Sequence, residues 1–396
     1  MTTKEDVMQT YRFSIPTELF YGIGALEKLK TEPLPGEKAL VVTGGNSIRK
    51  HGILDRVLTI LAGRSIRTVL FDRVTPNPVR ETVMSGAEIA KAERCDFVIG
   101  LGGGSAIDAA KAIAMMTTNP GDIWDYVQVG SGGRKAFPVR GLPLVAIPTT
   151  AGTGTEGNPV GVLTKTESGE KVGMVCEFPV KSIVDPELTL GIVPSYTAFQ
   201  GFDALFHSLE GYLSVRSTPV SDVWAIEGIR NIFSYLPAAV QDGRNLEART
   251  AVSFASMLAG MVICISSCTG AHTIEHSLSG KVPSLPHGEG LILISRAFHA
   301  FGARRIPERY ALIADAIGVA VPGESDERNA ARFLDALEEL KIACGVDRLR
   351  LSDHGFNEAD IPGLIESTLI IGGGALVRDR YPIGRDDLAA MLRASL

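Results

Sequence analysis

The chain has 396 residues, of which 45% are hydrophobic and 21% are charged, and its formal net charge at pH 7 is −6. This is typical of a folded globular protein with roughly 100–200 residues in each of two or three domains, and the negative charge argues against nucleic acid or an anionic membrane as a partner. The polar start lacks an apolar h-region and no apolar run reaches ~18 residues, so we expect neither a signal peptide nor a membrane span.

The first half of the chain alternates apolar, strand-like runs with amphipathic helical patterns. Strands are predicted at 12–21, 39–45, 65–72, 95–102 and 142–150, followed by extended segments within 171–189. Helices are predicted between them at 51–63, 78–95 and 106–119. Alternation of this kind predicts an α/β domain built on a mostly parallel sheet with right-handed crossovers.

The pattern changes near residue 190, after which almost every segment is typical of helix. Seven prolines are expected to break these helices, at positions 219, 237, 283, 286, 307, 322 and 362. We therefore predict an α/β domain over 1–188 and an all-helical domain over 189–396.

A glycine-rich turn follows the predicted strand at 95–102. It contains Gly102, Gly103, Gly104 and Ser105, and a helix begins directly after it. Glycines allow a phosphate to approach the backbone, and a helix N-terminus attracts anions, so the turn is a candidate dinucleotide site. A plain strand-to-helix turn uses the same residues and remains an alternative. The spacing matches neither GxGxxG nor GxxxxGKS.

Two further loops follow predicted strands. The segment 147–156 supplies candidate hydroxyls from Thr149, Thr150 and Thr153. The segment 43–52 follows the first main strand, where a ribose contact is expected. It has glycines and a serine in place of an acidic residue, and the candidate contacts there are Gly44, Gly45 and Ser47.

Histidines and one aspartate form a candidate metal cluster in the second half. Asp203 and His207 are four residues apart, as are His272 and His276, and His287 follows. A spacing of four places two side chains on one helix face. Carboxylate and imidazole ligands suit Fe²⁺ or Zn²⁺. The spacing alone does not decide which of these histidines bind the ion.

The five cysteines are odd in number and irregular in spacing, which favours free thiols and a reducing cytoplasm. Cys264 and Cys268 lie four apart, one turn before His272. They are candidates for soft metal ligands, but small buried helix residues are the interpretation we favour.

With these residues in view, the chain resembles the iron-containing (group III) alcohol dehydrogenase family. The matching stretches run in the family's order over most of the chain. They are VTPNP (74–78), GGGSAIDAAK (102–111), PTTAGTGTE (148–156), DPELT (185–189), GFDALFHSLEGY (201–212), GAHTIEHSLSG (270–280) and LPHG (285–288).

The resemblance implies a dinucleotide-binding N-terminal domain, a helical C-terminal domain and a site in the cleft between them, an architecture like that of dehydroquinate synthase. The implied metal ligands are Asp203, His207, His272 and His287, with His276 beside them as a proton relay or as an orienting group. The implied NAD or NADP contacts are Asn77, Gly103, Gly104, Ser105, Asp108, Thr149, Thr150, Thr153 and Lys171.

The implied reaction is hydride transfer between a nicotinamide cofactor and a small alcohol or aldehyde, helped by Fe²⁺ or Zn²⁺ as a Lewis acid. Gly44 departs from the Asp that NAD-using members often carry, which favours NADP(H). Apolar residues around the ligand helices favour an uncharged substrate. They are Phe202, Leu205, Phe206, Phe254 and Ile274. Alternatives are an oxidoreductase on an anionic hydroxyacid and a redox-neutral synthase or lyase. We also expect a homo-oligomer.

Overall fold

The protein is described here by a computed structural model covering residues 10–372 and 374–396. Its N-terminal part is a parallel six-stranded sheet in the order β1-β8-β5-β4-β2-β3. The sheet strands are β1 (Glu18–Tyr21), β2 (Lys38–Gly44), β3 (Arg67–Val74), β4 (Phe97–Gly102), β5 (Leu144–Pro148) and β8 (Lys181–Val184). The predicted parallel sheet is confirmed.

Helices pack on both faces of the sheet because its central strands are apolar on both sides. In β4, every residue from Phe97 to Gly102 is buried. One apolar cluster includes Leu40, Val98 and Ile113, and the other includes Val41, Ile99 and Leu54. The helices of this part are α1 (Lys28–Thr31), α2 (Ser47–Lys50), α3 (Ile53–Gly63), α4 (Arg80–Ala92) and α5 (Gly104–Thr118).

An antiparallel hairpin, which the sequence patterns did not predict as such, follows the main sheet's fifth strand. It comprises β6 (Val160–Lys165) and β7 (Glu170–Val175). Strand β6 packs on α5, and β7 packs on a helix of the second half, Gly270–Lys281. The hairpin thus joins the sheet to the helical part.

Beyond Val184, the described chain forms helices and connecting turns. The α-helices are α6 (Pro194–Leu213), α7 (Pro219–Gln241), α8 (Leu246–Ser266), α9 (Gly270–Lys281), α10 (His287–Ala303), α11 (Pro307–Ala316), α12 (Asp326–Ala343), α13 (Ile361–Gly372) and α14 (Arg385–Arg393). The predicted break at Pro237 is wrong, because this proline lies inside α7. The domain boundary near 188 stays a prediction.

Helix α8 is long and apolar enough to cross a membrane by length and composition. Within the protein, however, 61% of its most apolar stretch is buried, and it packs against α6 and α7. A buried core helix explains its composition. Residues 1–9, on which the expectation about a signal peptide partly rests, lie outside the described residues.

Candidate active site

The predicted dinucleotide loops meet at the carboxyl edge of the sheet. The glycine turn follows β4, the threonine loop follows β5, and Gly44 ends β2. Strands β2, β4 and β5 are neighbours and parallel, so their ends are adjacent. The Thr149 amide donates a hydrogen bond to the Gly102 carbonyl at 2.8 Å. The sheet order therefore assembles one candidate site from three distant segments.

The glycine turn needs glycine because the threonine loop lies directly on it. A Cβ on Gly103 would lie 3.1 Å from Thr150 Cγ2, and one on Gly104 would lie 2.5 Å from Thr153 Cγ2. Helix α5 starts at Gly104, next to this loop, and its N-terminus has no side-chain cap. The N-terminus of a long helix beside threonine hydroxyls fits the phosphates of a dinucleotide.

Gly44, predicted to contact the cofactor, has a structural reason to be glycine. A Cβ there would lie 1.9 Å from the Val74 carbonyl oxygen of the neighbouring strand. Gly45 has φ of 69°, and Ser47 begins the short helix α2. The close approach of β3 therefore explains why residue 44 is glycine, without reference to a preference for NAD or NADP.

Three predicted cofactor residues have protein partners. Asn77, at φ of 53°, donates its amide to the Pro283 carbonyl at 3.0 Å. Asp108 accepts from Thr155 Oγ1 at 2.6 Å and from the Val162 amide at 2.9 Å. Lys171 pairs with Glu275 of α9. These contacts stabilise the loops and the hairpin within the protein. That the same three residues contact a cofactor stays a prediction.

The threonine loop is also locked onto α8 by a glycine-to-glycine contact. A Cβ on Gly260 would lie 1.9 Å from the Gly154 carbonyl oxygen. We expect Gly260→Ala to lower the free energy of unfolding by about 1–3 kcal/mol, because the added methyl group would force the backbone at Gly154 to move. Gly363→Ala, at an open position of α13, is the control and should not destabilise. Denaturant unfolding measures both, and equal stability of the two variants would contradict the contact's importance.

Asp203 is the point on which the candidate metal ligands converge. Its Oδ1 lies 3.4 Å from His207 Nδ1, 3.4 Å from His272 Nε2 and 3.5 Å from His287 Nε2. Burial alone would raise the pKa of Asp203, but the three neighbouring imidazoles hold that pKa below its usual range. The carboxylate is therefore ionised at the centre of the cluster.

These distances fit a shared divalent ion. Ligands at about 2.0–2.2 Å from a tetrahedral ion are separated from one another by about 3.3–3.6 Å. His207 Nδ1 is buried and makes no hydrogen bond, which is the expected state of a nitrogen reserved for a metal. The oxygen and nitrogen donors suit Fe²⁺ as well as Zn²⁺.

Two buried glutamates, absent from our sequence predictions, hold the ligand imidazoles. Glu210 on α6 accepts from His272 Nδ1 and from the His272 amide at 3.2 Å. Glu275 on α9 accepts from His287 Nδ1. Both glutamates are 0% exposed. Each carboxylate holds a proton on Nδ1 and leaves Nε2 free to bind a metal. Their positions in the sequence could have revealed them. Glu210 lies three residues after His207, and Glu275 lies between His272 and His276.

Lys171 of the hairpin completes the second of these pairs. Its Nζ lies 3.3 Å from Glu275 Oε2 and donates to Ser279 Oγ at 2.9 Å. Lys171 is 3% exposed, so its charge is balanced within the protein. The hairpin packs on α5, the helix that follows the glycine turn. Through Lys171 it also contacts Glu275, the carboxylate that orients His287.

His276 lies next to the ligand cluster on the same face of α9. Its ring centroid is 6.5 Å from that of His272 and 5.6 Å from that of His287. Removal from solvent, reinforced by the charge of Lys171, holds the pKa of His276 well below its usual range. The imidazole of His276 is therefore neutral at pH 7.

The residues on which we based the apolar substrate pocket lie elsewhere. Four of them pack in the helical core and are at most 1% exposed: Phe202, Leu205, Phe206 and Ile274. Phe254 instead contacts Tyr21, with ring centroids 5.5 Å apart, in a separate surface groove. These residues stabilise the ligand helices and do not line a substrate cavity, so that part of our interpretation is wrong.

Comparison with known proteins gives the family of the chain. Residues 16–186 match the family model for iron-containing alcohol dehydrogenase, and residues 197–396 match the C-terminal model of the same family. The chain is 35% identical over 364 residues to 1,3-propanediol dehydrogenase of Citrobacter freundii, covering 91% of this chain and 92% of that protein. It is 32% identical over 385 residues to the NADPH-dependent butanol dehydrogenase of Clostridium saccharobutylicum, covering 95% and 96%.

A solved structure has the same fold over nearly the whole chain. It is the archaeal halo-thermophilic alcohol dehydrogenase from a Red Sea brine pool, with a TM-score of 0.93 and 32% sequence identity. The match covers 98% of this chain and 100% of that one. Both halves of the sequence and the architecture therefore lead to one assignment: the chain belongs to the iron-containing alcohol dehydrogenase family.

Proposed function

We propose that this protein, an alcohol and aldehyde oxidoreductase that uses Fe²⁺ and NAD or NADP, works physiologically on a small uncharged primary alcohol or its aldehyde. The observation that carries the catalytic part is the convergence of three imidazole nitrogens on Asp203 Oδ1 at 3.4–3.5 Å. Asp203, His207, His272 and His287 would hold the ion. The glycine turn, the threonine loop and the N-terminus of α5 would hold the dinucleotide phosphates.

When bound, the ion would supply Lewis-acid chemistry at the substrate oxygen, and the nicotinamide would supply the hydride chemistry. Glu210 and Glu275 keep His272 and His287 in the tautomer that presents Nε2. In alcohol oxidation, neutral His276 would take the hydroxyl proton and pass it to solvent. In aldehyde reduction, it would return a proton to the oxygen.

The charge balance near the site supports an uncharged substrate. Lys171, a cation close to the ligands, is already paired with Glu275. Lys281, at the end of α9, pairs with Asp360 at 2.9 Å. Neither of these two lysines is therefore free to compensate a carboxylate or phosphate substrate for its lost hydration. The relatives named for 1,3-propanediol and butanol act on uncharged alcohols.

A substrate panel on iron-reconstituted protein tests the proposal. We expect kcat/KM for butanal and lactaldehyde to exceed that for 4-oxobutanoate and for a sugar phosphate ketone. A clear preference for either anion would overturn the uncharged-substrate proposal. Substrate turnover without any change in nicotinamide absorbance would instead point to a redox-neutral synthase or lyase.

For the cofactor, we propose that NADPH is used at least as well as NADH. The candidate adenosine-ribose region contains Arg49, whose Nη2 lies 2.5 Å from Asp72 Oδ2 in an exposed pair. Asp72 alone would repel a 2′-phosphate, and Arg49 offsets that repulsion. The named NADPH-dependent relative is compatible with this choice.

We expect Arg49→Ala to raise KM for NADPH more than KM for NADH, by a factor of about ten if one charged hydrogen bond of ~1.4 kcal/mol is lost. Steady-state kinetics with both cofactors measures this. Arg56→Ala is the control, because Arg56 forms a similar exposed pair with Glu27 outside the loop. Equal changes for both cofactors in Arg49→Ala would show that Arg49 does not read the phosphate. Gly44 is unsuitable for this test, since any side chain there meets Val74.

We also propose a cytoplasmic location and a homo-oligomer. All five cysteines, each within the described residues, are unpaired, as suits a reducing compartment. Light scattering of the purified protein would measure the oligomer's mass, and a monomeric mass would contradict the second proposal.

A further inference from the structure

Cys268 lies at the corner between α8 and α9, beside two of the candidate metal ligands. Its Sγ and one ring nitrogen each from His207 and His272 all lie within 4.8 Å of one another. A separate group of the same size is formed by Asp203, His272 and His287. The thiol therefore belongs to a three-donor cluster whose two histidines also lie 3.4 Å from Asp203 Oδ1 in the proposed metal site.

The corner that carries Cys268 is fixed by its neighbours. Ser267 has φ of 66°, a conformation that side chains rarely adopt. The amides of Thr269 and His272 donate to Glu210 at 2.5 Å and 3.2 Å. These bonds hold the backbone after the thiol, and the Ser267 amide donates to the Ile263 carbonyl at 2.8 Å before it, so the position of Cys268 beside His207 is set by the fold.

His207 and His272 each bring a nitrogen suited to this cluster. His207 is 6% exposed, and its Nδ1 has no hydrogen-bond partner. His272 Nδ1 is engaged by Glu210, so His272 has one nitrogen, Nε2, left for a metal. Since both histidines also belong to the proposed site at Asp203, the two donor sets would compete for a single ion rather than hold two.

We propose that His207, Cys268 and His272 form a second donor set, in which the Cys268 thiolate binds a thiophilic divalent cation such as Zn²⁺ or Co²⁺. The inference rests on the proposed metal site but goes beyond its oxygen and nitrogen ligands. Thiolate favours Zn²⁺, whereas a carboxylate suits harder ions. On binding, a metal–sulfur bond forms and the thiol proton leaves to solvent. Cys268 thus biases the site toward Zn²⁺ over Fe²⁺.

Cobalt is the probe, because a Co²⁺–thiolate bond gives a near-ultraviolet charge-transfer band that nitrogen and oxygen ligands do not give. Metal-stripped, full-length protein is titrated with Co²⁺, and bound metal is counted by elemental analysis. We expect the band in the wild type and in Cys264→Ser, the control for a thiol one turn away. We expect Cys268→Ser to bind Co²⁺ without the band and to lose about tenfold in its preference for Zn²⁺ over Fe²⁺.

The outcomes distinguish a failure of the Cys268 proposal from a failure of the main metal site. Bound Co²⁺ without a charge-transfer band in the wild type overturns the role of Cys268 and leaves the main metal site standing. A wild type that binds no Co²⁺, Zn²⁺ or Fe²⁺ overturns the metal site itself and the thiolate with it. If Cys268→Ser does not fold, Cys268→Ala and the wild-type spectrum still decide, and a band that persists in Cys268→Ala also refutes the assignment.

Discussion

Replacing His272 by alanine should abolish turnover and release the metal while the fold remains. His272 Nε2 lies 3.4 Å from Asp203 Oδ1, and its Nδ1 is held by Glu210. Outer groups that merely orient a ligand typically contribute 10–100-fold, so loss of a ligand itself should reduce kcat/KM by more than about 100-fold. Elemental analysis, circular dichroism and steady-state rates measure metal, fold and activity in the same preparation.

The matched control for this experiment is His354→Ala. His354 pairs with Glu289 at 2.9 Å and is outside the ligand cluster, so its removal should leave metal content unchanged. A His272→Ala protein that retains metal and turns over at the wild-type rate would refute the ligand assignment. His287→Ala should repeat the result, because His287 Nε2 also faces Asp203.

Glu275→Gln should weaken metal binding without removing any ligand. Glutamine keeps the shape but loses the charge that holds the proton on His287 Nδ1. We expect metal affinity to fall about 10–100-fold. The variant also leaves Lys171 without its buried counter-charge, which typically costs about 3–5 kcal/mol of stability. Chelator competition measures the affinity, and denaturant unfolding measures the stability.

Two further variants separate these effects. Glu289→Gln alters a buried glutamate that pairs with a histidine outside the cluster, so its metal affinity should stay at the wild-type value. The double variant Lys171→Met with Glu275→Gln removes the unpaired charge and should regain stability but not affinity. If affinity returns together with stability, Glu275 supports the fold rather than orienting His287.

Local patterns explain why much of the fold was predictable. Apolar runs such as 97–102 are buried on both sides, and only a sheet covered by two helical layers buries them in this way. Pro237 shows the limit of such reasoning. A proline usually ends a helix, but packing of α7 on α6 and α8 outweighs that local cost.

The residue types and spacings that the chemistry needs can be read from the chain alone: polar pairs four apart on α6 and α9, and glycines at the ends of β2 and β4. These are local properties, since helix and strand periodicity place them without any distant contact. Which of these groups come into contact depends on the packing of distant segments. Glu210 reaches His272 across 62 residues, and Lys171 reaches Glu275 across 104. Such pairs carry no periodic signal, because their proximity depends on how α6, α9 and the hairpin pack together. The same packing buried Phe202 and Phe206 of α6 and brought Cys268 beside His207.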